Sequence, residues 1–236
     1  MLILIAIIVS YCAGFFSRVF FYAAIALNAG FVFYRGFSIG RLPVVGVFDT
    51  IVFFSLSISL FSIAFQPFLK QRKQFLRAAS ASSLLFLLAA LISPPHSGPL
   101  PQVLKTFWFE IHVILSFFSY ALFVIGGITG LLYLRYREEN IERIQYRSIF
   151  IGYTFFSISM IAGGIWAFYA WGTYWLWTPK ELWTSILWLY YSLYLHLRFH
   201  RSFAGIRSSL AGSFGTLVML FTYLGVGLLM KSSHSF

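Results

Sequence analysis

The chain has 236 residues, of which 60% are apolar and 10% charged, with a mean hydropathy of +0.84; such a composition excludes an ordinary soluble globular protein. The net charge of +11 does not point to nucleic acid, because the basic residues sit in short clusters between apolar runs, the pattern of membrane topology determinants. The single cysteine, Cys12, excludes a disulfide framework, a CxxC redox pair and a thiolate metal cluster.

A bilayer-crossing helix needs about 20 mostly apolar residues. Apolar runs lie at 2–33, 46–66, 79–93, 110–134, 148–168, 183–197 and 209–230. They predict an all-α, polytopic membrane bundle of seven helices, or eight if the first run folds back at Arg18, in a single membrane domain over 1–236. Each arm of such a hairpin would be short for a bilayer, so length favours one long first helix. Residues 1–17 have no basic leader region and run on into apolar sequence, so they read as a retained membrane segment.

Basic residues orient the bundle. Lys70, Arg72, Lys73 and Arg77 fall in one loop, Arg135, Arg137, Arg143 and Arg147 in the second following, and Arg198, Arg201 and Arg207 in the next alternate one. The opposite side holds Arg35, Arg41, Lys105, Lys180 and Lys231. The positive-inside rule therefore sends the loop 94–108, the loop 166–182 and the C-terminus to the outer face.

Five of the seven tryptophans lie within 166–183: Trp166, Trp171, Trp175, Trp177 and Trp183. Trp171 and Trp175 are four apart and are predicted to share a helical face, Gly172 to permit close backbone approach, and Pro179 to open the following helix. Two readings fit. One is an interfacial aromatic belt; the other is a platform for a flat aromatic ligand whose carboxylates Lys180 pairs.

The histidines sharpen the choice. His112 begins one span on the outer side, and His234 follows the last span on the same side. Two imidazoles flanking the Trp loop are what a metalloporphyrin needs on its two axial faces. His196 lies 13 residues beyond Trp183 on one helix, roughly 20 Å along it, at a depth where an ionisable side chain is costly and usually functional; snorkelling to the inner interface beside Arg198 and His200 is the alternative.

The pattern Trp-Gly-x-x-Trp-x-Trp-x-Pro-Lys-Glu over 171–181, with Tyr-x-x-Tyr-Leu-His at 191–196, resembles the WWD segment of the CcsA/ResC family of cytochrome c biogenesis proteins. Gly40-Arg41-x-Pro43, Phe48-Asp49, Trp108-x-x-x-His112 and Thr222-Tyr-Leu-Gly225 resemble further landmarks of that family, so the likeness covers nearly the whole chain. The resemblance implies haem b as a transiently bound substrate, with His112 and His234 as outer axial ligands, Trp166, Trp171, Trp175, Trp177 and Lys180 lining the outer site, and His196 at an inner haem site. It also implies a CcsB/ResB-like membrane partner that supplies the second inner ligand, apocytochrome c bearing CxxCH as client, and a bacterial plasma or thylakoid membrane. Catalysis, in a holocytochrome c synthase complex, would be by positioning. Three departures stand out: Thr178 replaces an aspartate, Gly227 an asparagine, and Ser232-Ser233 a glycine-leucine pair. A transporter of another hydrophobic substrate and a b-type respiratory subunit are the competing classes; the second would need paired histidines at each haem depth, and the inner depth has only His196.

Overall fold

The computed structural model describes residues 2–95 and 97–226. Every regular element among them is helical: α1 Leu2–Gly14, α2 Arg18–Ile39, α3 Val47–Phe65, α4 Arg72–Leu91, α5 Phe107–Tyr136, α6 Glu139–Trp171, α7 Pro179–Leu197 and α8 Ile206–Leu220, with a π-helical turn at Phe221–Gly225. The chain resolves into two compact units, Met1–Pro99 and Leu100–Phe236.

Among the described residues six helices are long and apolar enough to cross a membrane: α2, α3, α4, α5, α6, and α8 taken together with its π-helical turn (Ile206–Gly225). The first apolar run is not the one long helix expected from its length. It breaks after Gly14, and Ser17 is extended (φ −136°) before Arg18 opens α2. Tertiary contacts override the length argument. Tyr11 and Phe21 meet edge to face across the hairpin at 6.1 Å, and the Arg77 Nε of α4 donates to the Phe15 carbonyl at the end of α1 (3.1 Å). The hairpin is pinned to the rest of its unit through hydroxyls: Tyr11 to Ser59 (2.8 Å), Ser59 to Ser83 (2.8 Å), and the Ser80 hydroxyl to the Tyr11 carbonyl (2.7 Å). In an apolar surrounding such bonds are the alternative to unsatisfied polar groups, which makes them effective interhelical ties.

At the other end of this unit Asp49, 2% exposed, takes a two-pronged bond from Arg35 (Nε 3.0 Å, Nη2 3.4 Å). Arg35 also donates to Ser97 (3.2 Å) and Arg41 to the Gly98 carbonyl (3.4 Å). The Gly40-Arg41-x-Pro43 and Phe48-Asp49 landmarks thus close the α2–α3 turn and fasten it to the segment after α4.

In the second unit α5 and α6 form an antiparallel hairpin that turns at Arg137 in a left-handed conformation (φ 57°). Close approach of α5 and α8 depends on Gly127, where a Cβ would stand 2.5 Å from Thr216 Oγ1. Across that contact Thr216 donates to the Phe123 carbonyl (2.8 Å) and Ser213 to that of Gly127 (3.2 Å). The start of α6 is clamped to the α7–α8 connection by Glu142, which accepts from Ser208 (2.6 Å) and the Gly205 amide (2.7 Å) and pairs with Arg198.

Candidate functional site

The Trp-rich segment is not one helix. α6 stops at Trp171 because Gly172 adopts φ +72° and its amide returns to the Phe168 carbonyl (2.8 Å), the common left-handed helix stop. Residues 172–178 are non-helical, so Trp171 and Trp175 do not share a helical face as expected, and Gly172 serves by its backbone angle, with no heavy atom within 4 Å of where its Cβ would be. The loop folds back over α6: Tyr174 stacks on Phe168 with centroids 4.6 Å apart. Pro179 does open α7.

Below the loop His112, Trp166 and Trp171 come together. Trp166 is buried, and its indole N–H donates to the Val103 carbonyl (2.6 Å). Its ring lies nearly parallel to His112 (14°, centroids 6.4 Å) and edge-on to Trp171 (4.8 Å), with Phe109 at 5.0 Å. His112 is half-buried. Its Nδ1 is 2.8 Å from the Ser159 carbonyl oxygen; a carbonyl only accepts, so Nδ1 carries the proton and Nε2 is the basic nitrogen, the form in which imidazole ligates a metal. Ser159 Oγ lies 3.1 Å from the same Nδ1 and donates to the His112 carbonyl (2.8 Å), and Ser116 Oγ lies 2.6 Å from Ser159 Oγ.

Trp177 is the exposed member, with 69% of its surface accessible and φ +57°, a left-handed conformation that is an outlier for a bulky residue. Glu181 holds it there: one carboxylate oxygen accepts the amides on either side, Leu176 (3.0 Å) and Thr178 (2.9 Å). Thr178 in turn accepts from the Glu181 amide (3.4 Å), completing a reciprocal capping box at the start of α7. A threonine oxygen and an aspartate oxygen serve this position alike, so the departure at Thr178 leaves the loop geometry intact. Sequence reasoning passed over Glu181 as a structural residue although Thr-x-x-Glu before an apolar run is the capping-box pattern. Ser159, Ser116 and Gly163 carry no comparable signal; only the fold brings them to His112.

Trp175 is half-buried, as is Lys180, which has no ion-pair partner among the described residues. Trp183 packs on Phe221 of the π-helical turn (4.4 Å). His196 is remote from His112, near the far end of α7; it is exposed, and its Nδ1 lies 2.8 Å from the Ser192 carbonyl one turn back. The same argument makes its Nε2 the basic nitrogen. His234, like His96, falls outside the described residues.

The family model described as "Cytochrome C assembly protein" matches residues 44–234. Relatives named cytochrome c biogenesis protein CcsA include one from Chlamydomonas reinhardtii, 34% identical over 65% of this chain and 48% of its own. Those from Nymphaea alba (28% identical) and Guillardia theta (29%) each align with 84% of this chain, and with 78% and 77% of their own. The chain thus spans about half the length of the first relative and over three quarters of the other two.

Proposed function

Because the chain belongs to the cytochrome C assembly protein family, we propose that it works in cytochrome c biogenesis by holding haem at an outer site and presenting it for covalent attachment to apocytochromes. The observation that carries this reading is His112: its ring is oriented by Ser159 and Trp166 with Nε2 as the basic nitrogen, at the foot of a tryptophan-lined loop. Haem here is substrate. His112 binds its iron on one axial side and His234 on the other; Trp166 and Trp171 wall the His112 side, Trp175 and Trp177 extend the apolar surface through the loop, and Lys180 pairs with a propionate. Two imidazoles would occupy both axial positions and hinder oxygen from reaching the iron, while the apolar aromatic enclosure disfavours the more charged oxidised state. The chain supplies no thiol for thioether formation, since Cys12, its one cysteine, lies in α1; its contribution is to bind and orient.

Topology supports an outer location for the loop. If α7 crosses the bilayer, the loops holding Lys70–Arg77, Arg135–Arg147 and Arg198–Arg207 all fall on one side, the inner side by the positive-inside rule, and residues 172–178 fall on the other. The 19 residues of α7 reach about 28 Å, close to a hydrocarbon core of about 30 Å; Lys180 and Glu181 in the first turn and the tyrosines behind them explain its lower hydropathy. α1, at 13 residues, reaches only about 20 Å. Seven crossings, α2 to α8, result.

A membrane partner fits the outer face of α7. Leu182, Ile186, Leu189 and Leu193 are all exposed and recur at spacings of four, three and four, and His196 follows three residues on. Lipid covers such a stripe as readily as a second helix does; in the reading proposed here a CcsB/ResB-like helix lies on it, shields His196 from lipid and provides the second ligand of an inner haem site.

The test is genetic. Deleting the chain should remove covalently bound haem from all c-type cytochromes while leaving b-type haem unchanged, read by haem-stained gels and difference spectra. Retention of covalent haem would overturn the proposal and favour transport of another hydrophobic substrate.

A further inference from the structure

Of the two imidazoles in the proposed haem site, His112 has its position set from α6. Gly163 lies against the ring of His112: a Cβ built there would stand 2.6 Å from Nδ1, 2.8 Å from Cε1 and 3.2 Å from Cγ. No side chain larger than hydrogen fits without displacing the ring. One turn earlier, Ser159 is fully buried and meets His112 three times, through its carbonyl at Nδ1, its hydroxyl near Nδ1, and the same hydroxyl donating to the His112 carbonyl (2.8 Å, 3.1 Å, 2.8 Å). Ser116 completes the set at 2.6 Å from the Ser159 hydroxyl. The hydroxyl protons have one consistent order: Ser116 donates to Ser159, Ser159 donates to the His112 carbonyl, and the Nδ1 proton is shared between the two Ser159 oxygens.

We infer that Gly163 and Ser159 form a preformed seat for His112, fixing its ring plane and its Nδ1-protonated tautomer, and are positioning residues for iron ligation. The inference rests on the haem-holding reading for its purpose, but the seat itself is a property of the haem-free chain. A backbone carbonyl cannot be removed by side-chain substitution, so Gly163 is the sensitive position: a methyl group there pushes the ring away from Ser159 and frees the tautomer. Gly164 is the matched control, since a Cβ there meets only the Tyr174 carbonyl at 3.5 Å, an ordinary contact. Outer partners of metal-binding histidines typically change affinity by about 10- to 100-fold when lost.

The experiment compares wild type, Gly163→Ala, Gly164→Ala and Ser159→Ala, purified from membranes. Haem per protein is read from the Soret band, and the tautomer from 15N chemical shifts of His112 in haem-free protein, assigned by difference with His112→Ala. The expected result is a loss of haem of about tenfold or more in Gly163→Ala with the Nδ1-protonated signature gone, a smaller loss in Ser159→Ala, and wild-type behaviour in Gly164→Ala. Wild-type haem content and an unchanged tautomer in Gly163→Ala would overturn the seat. If wild type carries no haem, the functional reading fails and the 15N shifts alone decide the seat. If Gly163→Ala does not accumulate, the wild-type spectrum decides: an Nε2-protonated His112 overturns the inference.

Discussion

Trp177 shows what the loop asks of single residues. A tryptophan with φ +57° carries a backbone cost of about 1–3 kcal/mol, offset by the two amide bonds that converge on Glu181. Glu181→Ala should lower haem content several-fold, whereas Glu181→Gln, which keeps an accepting oxygen, should retain most of it; Soret absorbance per protein distinguishes them. Equal loss in both would point to charge instead of geometry. Thr178 acts through its oxygen, so Thr178→Asp should leave thermal stability in detergent unchanged, while Thr178→Ala should cost about 1 kcal/mol. At this scale the sequence is informative where chemistry is local: the Trp cluster, Pro179 and the Thr-Pro-Lys-Glu cap can be read directly. The seat of His112 cannot, because Ser159 and Gly163 are 47 and 51 positions away and their residue types are commonplace.

Among the elements, the α1–α2 break is the least legible. Gly14 is the one local signal at the break, since Phe15, Phe16 and Ser17 include neither glycine nor proline, and a tertiary contact from α4 adds to it, where Arg77 caps the Phe15 carbonyl and lies over the Phe15 ring (5.5 Å). The tryptophan spacing misled for the opposite reason: four-residue periodicity assumes a continuing helix, and Gly172 ends it one residue after Trp171. The α2–α3 turn makes a sharper test. Removing Arg35 alone takes the two-pronged partner from the buried carboxylate of Asp49, so Arg35→Leu should destabilise the chain by about 3 kcal/mol, while the double variant Arg35→Leu/Asp49→Leu should recover a large part of the loss; denaturant unfolding in detergent measures both. On α7, placing serine at both Ile186 and Leu193 should abolish co-purification with the proposed CcsB/ResB-like partner without unfolding the chain, since both side chains are exposed (45% and 58%).

Across the whole molecule, composition alone predicts a helical membrane protein, and six long apolar helices agree. The count of seven or eight expected from the sequence exceeds these six; the difference from seven is α7, whose polar start and tyrosines among its leucines leave it below the hydropathy of the others. In a Cys12→Ser background, single cysteines at Thr173 and Ser202 should be labelled from opposite sides of the membrane by an impermeant maleimide; labelling from one side would remove α7 from the bilayer.

The claim that this chain holds haem through His112 is tested most directly by the reduced absorption spectrum of the protein purified with the proposed CcsB/ResB-like partner, compared with His112→Ala. A six-coordinate, low-spin spectrum of non-covalent haem that His112→Ala converts to a five-coordinate or haem-free one, and that added imidazole restores, is the expected result. An identical spectrum in both proteins, whether haem-loaded or haem-free, would contradict it.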